Sequence, residues 1–179
     1  MSTDNILSES AVPRAARRAA NPNPWTTQVP PLKRNSEGYG KPNSGAGHRF
    51  EKHQYARAFY EIKKDGRVHL WSKFTNNKRW DGDHFAAVWV ARDAAGKVIF
   101  WSKHGAGLDG ENLGGPGDRY VHTKGRIKPE QVEAIKTITV RWAQPNARDD
   151  VAFWRAVQAI VCALIDCNGE GEEESTEIK

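Results

Sequence analysis

The sequence predicts a mainly β protein: an antiparallel β-sandwich or small barrel that contains a duplicated hairpin and ends in one amphipathic helix. Three observations predict it: short alternating segments separated by turn residues, an internal repeat, and a change to a helical period near the C-terminus. A chain of 179 residues can bury one good hydrophobic core but is short for two. We therefore expect one folded unit with tails.

Three segments of different composition set the predicted domain organisation. Residues 1–47 are rich in Pro, Asn, Ser and Gly and carry a formal charge of about +3, which indicates a flexible basic arm. Residues 48–168 form the sandwich with its C-terminal helix and hold most of the positive charge. Residues 169–179 form an acidic, disordered tail with no core to join. The large aromatic side chains of Trp25 and Tyr39 predict that part of the arm lies across the domain.

An internal repeat defines the first half of the domain. Residues 55–74 match residues 85–104 without a gap. In each copy an aromatic-rich run leads to a turn glycine, Gly66 or Gly96, which is followed by Val and then by Trp-Ser-Lys. Asp65-Gly66 is a strong hairpin signal, because both central residues of a type I′ turn need a positive φ. The repeat therefore predicts two hairpins and four strands.

The tryptophans of the repeat are candidate ligand-binding residues. With two-residue turns, the residues opposite each other are Tyr60 and Trp71, Ala58 and Lys73, Val90 and Trp101, and Val88 and Lys103. A Trp that shares its face with a Lys is a stacking platform for a sugar ring or a base, with the ammonium group available to phosphate or carboxylate. The alternative is that both tryptophans fill the core while the lysines reach past them to solvent.

The second half of the domain predicts two strands and a long helix. Residues 119–127 and 135–142 alternate as strands, and Pro129 begins a single helical turn between them. Residues 149–165 have the helical period, and their apolar side is wide enough to pack on a sheet or on a partner subunit. A homo-oligomer through this helix is therefore one predicted partner. The helix is too short and too polar to predict a membrane span.

Charge and cysteine usage limit the partners and the compartment. The formal net charge is +5 and the sequence pI is near 9.3, which favours a polyanion or an acidic glycan as partner. Cys162 and Cys167 lie five apart in a helical pattern, so we expect reduced core residues and no disulfide. The N-terminus lacks the apolar stretch of a signal peptide, which predicts a cytoplasmic protein or one exported without a cleaved signal.

The irregular stretch His104–Asp118 is the first candidate for a binding loop, since long loops are often functional. Asp109 and Asn112 are its predicted ligand-binding residues. The carboxylates of Asp109, Glu111 and Asp118 are weak candidates for calcium ligands, because their spacing fits no defined calcium loop. No cofactor is predicted, and calcium is the only one left open.

A second polar cluster joins the two hairpins. Trp80 in this connection is a further candidate for ligand binding. The repeat places His84 and His104 at the open end of the second hairpin, where Asp81 and Asp83 would also lie. Carboxylates and histidines brought together there would bind a metal or cleave a phosphodiester by acid–base catalysis. The alternative is a solvated turn, and we assign no catalytic residue.

Three functions remain open from the sequence. The preferred one is a non-catalytic, tryptophan-rich β-sandwich binding module for a polar ligand such as a glycan or a polyanion. The second is a small histidine- or metal-dependent nuclease, and the third is a self-assembling structural protein with a basic N-terminal arm. The duplicated hairpin accounts for the pattern without rare chemistry, so we lean away from an enzyme.

Overall fold

A computed structural model describes residues 25–28, 34–35, 38–39, 46–79, 82–110, 117–145, 150–165 and 176–179. The strands are β1 Trp25–Gln28, β2 Arg34–Asn35, β3 Gly38–Tyr39, β4 Ala46–Glu51, β5 Gln54–Lys63, β6 Arg67–Asn76, β7 Asp83–Arg92, β8 Val98–Leu108, β9 Asp118–Arg126, β10 Thr137–Ala143 and β11 Thr176–Glu177. The helices are α1 Pro129–Ala134 and α2 Asp150–Ile165.

The strands form two sheets that pack face to face. Sheet A has the order β1-β10-β7-β8-β11, and all its neighbours are antiparallel except β11, which runs parallel to β8. Sheet B has the order β2-β3-β5-β6-β9, and β4 also pairs with β5. Within the described residues the two sheets do not close into a barrel. The predicted mainly β sandwich is confirmed.

The two repeats form two hairpins, one in each sheet. The first hairpin is β5–β6 in sheet B and the second is β7–β8 in sheet A. Both turns contain a glycine with positive φ, 90° at Gly66 and 86° at Gly96. The N–H of each glycine donates a hydrogen bond to the carbonyl oxygen of the residue three positions earlier, Lys63 or Asp93. The repeat therefore encodes the same turn twice.

The predicted register is wrong in the first hairpin and confirmed in the second. The first loop has three residues instead of two, so Trp71 lies opposite Phe59 and not opposite Tyr60. In the second hairpin a register shift next to Arg92 brings Val90 opposite Trp101, as predicted. Because side chains alternate between faces, this one-residue difference decides which residues accompany each tryptophan.

The main core lies between the sheets. In the first hairpin the inward side chains are those of Tyr60, Ile62, Val68, Leu70 and Phe74, all at most 2% exposed. Strand β10 contributes its predicted apolar face, since its inward residues Ile138, Val140 and Trp142 are buried as well. The remaining alternate residues of the first hairpin point away from this core.

A second, smaller core lies between sheet A and helix α2. The helix buries Phe153, Val157 and Val161 against residues of the second hairpin that include Val88 and Trp101. The apolar side of the predicted helix therefore packs on a sheet of its own chain. Val151 and Trp154 of α2 remain exposed, and a homo-oligomer through residues 149–165 stays a prediction. None of the helices in the described parts of the chain has the length and apolarity to span a membrane.

Short strands near both ends of the chain join the two sheets. Strands β1, β2 and β3 lie within residues 1–47; β1 pairs with β10, β3 pairs with β5, and β2 pairs with β3. At the other end β11 pairs with β8, and the side chain of Ile178 is only 3% exposed. Cys162 is disulfide-bonded, so the expectation of a reduced Cys162 is wrong. Cys167 lies outside the described residues.

Candidate ligand-binding face

The outer face of sheet B carries a regular grid of aromatic and basic side chains. The register of β5, β6 and β9 sets its cross-strand rows, which are Arg57–Lys73–Tyr120, Phe59–Trp71–His122 and Glu61–His69–Lys124. A fourth row pairs Arg67 with Arg126. Alternate residues of β6 between these positions are buried in the core, so the grid lies on the opposite side, away from sheet A.

Five of these residues form one connected set of rings, which we call the aromatic face: Phe59, His69, Trp71, Tyr120 and His122. The centroid of Trp71 lies 5.6 Å from that of Phe59 and 6.5 Å from that of His122, with planes 13° and 17° from parallel. His69 lies 4.7 Å from Trp71. Tyr120 is 53% exposed and its ring is 6.3 Å from that of His122. Rings from three neighbouring strands are thus in contact across an accessible surface.

Cations flank the aromatic face along the strands. Arg57 and Lys73 lie on one side, and Lys124 lies on the other, followed by the pair Arg67 and Arg126. The Nζ atom of Lys73 is 5.4 Å from the centroid of Tyr120 and 2.6 Å from an Asp118 oxygen. The hydrogen bond to Asp118 raises the pKa of Lys73, so the ammonium group stays charged.

Two histidines of the face are hydrogen-bonded to each other. The Nε2 atom of His69 lies 3.2 Å from the Nδ1 atom of His122. Partial burial lowers the pKa of His69, and the charges of Lys124 and His122 lower it further, against an opposing effect of Glu61. At neutral pH His69 is therefore uncharged and presents a flat neutral ring.

The second tryptophan predicted to bind ligand is buried. Trp101 lies on the outer face of sheet A, but α2 covers that face and leaves only 8% of the residue exposed. Lys103 lies 5.8 Å from the Trp101 ring, donates to Gln158 and is 3.7 Å from a Glu177 oxygen. Of the two predicted platforms only Trp71 with Lys73 reaches an open surface, because no helix covers sheet B in the described residues.

The described residues of the predicted nuclease site, Asp83, His84 and His104, do not come together. Along β7 and β8, His84 points to the helix side of sheet A and His104 points into the core. The His84 ring lies 5.2 Å from Phe153, with its Nε2 atom 3.8 Å from an Asp150 oxygen. Asp83 accepts hydrogen bonds from Gln54 and Lys78 instead.

His104 belongs to a buried network that links the two sheets. Its Nδ1 atom lies 2.8 Å from the Ser72 hydroxyl and its Nε2 atom 3.0 Å from that of Thr123. Ser72 also accepts a hydrogen bond from the Trp89 indole. Burial lowers the pKa of His104 to about 4, with a further contribution from His122. A neutral, fully enclosed imidazole with both nitrogens occupied holds structure and has no access to a substrate.

The predicted loop residues are only partly described. Trp80, Asp81, Glu111 and Asn112 lie outside the described residues. Asp109 is exposed beside Gly82, whereas Asp118 accepts a hydrogen bond from Thr75 and pairs with Lys73 at the border of the aromatic face. Three or more His, Cys, Asp or Glu side chains arranged to hold a metal ion do not occur among the described residues. The calcium and metal hypotheses gain no support there.

The sequence analysis missed most of the aromatic face. The register error placed Tyr60 instead of Phe59 opposite Trp71. His69, Tyr120, His122 and Lys124 were not considered. A signal was present in β6 and β9, because Arg67-x-His69-x-Trp71-x-Lys73 and Tyr120-x-His122-x-Lys124-x-Arg126 both place rings and cations at alternate positions. No protein-family model, curated protein sequence or solved structure matches the chain. The chemistry of the aromatic face is therefore what indicates a function.

Proposed function

We propose that this protein is a non-catalytic β-sandwich binding module that recognises a polyanionic ligand on the outer face of sheet B. The observation that carries the proposal is the row Phe59–Trp71–His122, which has basic side chains on both sides along the strands. Aromatic rings at an accessible surface supply contact area at low entropic cost, and the cations supply long-range attraction.

The charge of the face favours an anion. The rows contain Arg57, Arg67, Lys73, Lys124 and Arg126. Three carboxylates accompany them: Glu61 within the grid, Asp118 paired with Lys73, and Asp65 paired with Arg67. Arg57, Lys124 and Arg126 add to the positive charge. A neutral sugar needs several acceptor groups to receive its hydroxyl hydrogens, and the grid has few. A ligand that brings its own negative charge satisfies the excess of donors.

The non-catalytic part of the proposal rests on where the two histidines of the predicted nuclease site lie. His104 is enclosed in the core with both ring nitrogens in hydrogen bonds, and His84 is on the other side of the same sheet. Acid–base catalysis needs both groups within reach of one reacting bond.

The test is equilibrium binding to a panel of polymers, followed by fluorescence anisotropy in increasing salt. The panel contains a sulfated polysaccharide, single- and double-stranded oligonucleotides and a neutral glycan. We expect binding to at least one polyanion, no binding to the neutral glycan, and weaker binding as salt rises.

A matched pair of variants locates the binding surface. Lys124→Ala removes a cation from the face, and Lys136→Ala removes an exposed cation near the turn of the second hairpin. Both change the net charge equally, but only Lys124→Ala should weaken binding. Equal weakening by the two variants would mean that attraction is spread over the whole molecule, and the proposal would then be wrong.

A further inference from the structure

We propose that the polyanion is a single-stranded nucleic acid, whose bases stack on the aromatic face while its phosphates contact the flanking cations. This inference rests on the proposed function and narrows it to one class of polymer. Three features of the molecule support it: the spacing of the rings, the position of the cations and the lack of a covering helix over the described part of sheet B.

The rings repeat along one direction. Phe59, Trp71 and His122 occupy the same cross-strand row on three adjacent strands, with centroids 5.6 and 6.5 Å apart. Tyr120 and His69 widen this row on either side. A polymer that carries one flat group per repeating unit can place successive groups along such a row. Single strands meet this requirement because every base has a π face, whatever the sequence.

The cations lie where a strand following the ring row would carry its phosphates. Arg57 and Lys73 form a parallel row on one side, and Lys124 stands on the other next to His69. A backbone that runs beside the rings therefore passes basic side chains on whichever side it takes. An acidic glycan would use these cations but has no aromatic group to stack on three connected rings.

The open outer face of sheet B favours single strands over duplexes. In a duplex the base faces are covered by their neighbours, and only the edges and the phosphates are accessible. The outer face of sheet B, in its described part, presents side chains of paired strands and no helix or long ribbon that would enter a groove. Unpaired bases can leave their own stack and lie against the rings.

The first experiment compares single-stranded and duplex oligonucleotides of equal length by fluorescence anisotropy, using the full chain at a fixed salt concentration. We expect the single strand to bind about tenfold or more tightly than the duplex. Equal affinity for the two would show that the phosphates alone are recognised, and would overturn the inference.

The second experiment removes a ring. Trp71→Ala should weaken single-strand binding by about tenfold or more, the usual effect of losing one base-stacking partner. Trp154→Ala is the matched control, because Trp154 is 42% exposed on α2 and far from sheet B in the fold. Tyr120→Ala and His122→Ala change exposed rings of the face, so they test the same point if Trp71→Ala fails to fold. Unchanged binding in the folded ring variants would contradict stacking.

The third experiment counts phosphate contacts. The logarithm of the affinity should fall linearly with the logarithm of the salt concentration, and Lys124→Ala should reduce the slope by about 0.7. Lys136→Ala should leave the slope unchanged. If the sulfated polysaccharide binds through Lys124 while oligonucleotides do not bind, the inference is overturned and the proposed function stands. If no polyanion binds, both are overturned.

Discussion

The first and second hairpins share a turn glycine and the tripeptide Trp-Ser-Lys, yet their outer faces have opposite environments. In the first hairpin Trp71 and Lys73 lie on an open, basic surface beside Phe59 and His122. In the second hairpin the equivalent Trp101 is covered by α2. The same residues therefore lie on an open surface in one copy and pack against a helix in the other.

The side chains around each tryptophan account for the difference. The outward residues of β7 include Ala86, Val88 and Val90, so this strand is apolar on both faces and needs a covering layer. The outward residues of β5 include Arg57 and Glu61, whose charged groups are hydrated by solvent. The residues of the neighbouring strand thus decide whether the shared motif lies on an open surface or under a helix.

A single pair of equivalent positions shows how the helix approaches. Gly105 in the second hairpin corresponds to Thr75 in the first. A Cβ atom at Gly105 would lie 2.7 Å from the Phe153 ring and 2.8 Å from the Trp154 ring. The glycine lets α2 lie directly on the strand, whereas Thr75 in the uncovered hairpin bonds Asp118.

The strongest test of this comparison is truncation of the two tryptophans. Trp101→Ala should lower the free energy of unfolding by about 3 to 5 kcal/mol, because it leaves a cavity under α2. Trp71→Ala should cost less, about 1 to 2 kcal/mol, because its ring is partly in water already. Urea unfolding of both variants measures the difference. Similar losses would show that Trp71 is as important to packing as Trp101.

The next largest effect is the loss of stability in acid through His104, which occupies the position of Phe74 in the first hairpin. The folded pKa is about 4 against an ordinary value of 6.5, so only the unfolded imidazole binds a proton between these values. The contribution of neutral His104 to the free energy of unfolding is fully present above pH 6.5. It is lost as the pH falls through 4, and the loss is about 3 kcal/mol. Urea unfolding at several pH values measures it.

The control variant replaces His104 by phenylalanine, the residue type that the first hairpin has at the equivalent position, Phe74. His104→Phe removes the titrating group, so its stability should change less between pH 7 and pH 4, even though the variant loses the hydrogen bonds to Ser72 and Thr123. If the acid sensitivity of the variant equals that of the natural chain, His104 is not its source.

Gly105→Thr gives the second hairpin the residue type that the first hairpin has at the equivalent position, Thr75. The new side chain should displace Phe153 and Trp154 and cost about 1 to 3 kcal/mol, the range for an overpacked core. The binding affinity for a polyanion should stay unchanged, because α2 lies on the other side of the molecule from the aromatic face. Denaturation and anisotropy together check both expectations, and a loss of affinity would indicate that the two layers are coupled.

The smallest expected effect is a pH dependence of ligand binding that comes from His69 on the first hairpin. His69 faces Glu61 on β5, and Lys124 and His122 on β9, and its pKa is lowered. An anionic ligand favours the protonated ring, so affinity should rise a few-fold, about 1 kcal/mol or less, between pH 7.5 and pH 5.5. His69→Ala should reduce this rise, as measured by anisotropy. A flat profile in the natural chain would contradict it.

Part of the candidate site could be predicted and part could not. Trp71 and Lys73 were identified from the repeat, since an aromatic next to a cation on one strand face is visible in the sequence. Phe59 was missed because a loop of three residues was taken for one of two, and one residue of slip reverses the face. The predicted role of Trp101 failed because nothing local shows that a helix fifty residues later returns to cover it.

The sequence by itself determined the elements: the repeat, the alternation of β6, β9 and β10, the turn glycines and the helical period of α2. These depend on backbone geometry and on neighbours within a few residues. Only the tertiary structure decided that β9 pairs with β6, which places His122 beside Trp71, and that α2 covers sheet A. Long-range pairing depends on how all the apolar surfaces are buried together, and a local pattern does not contain that information.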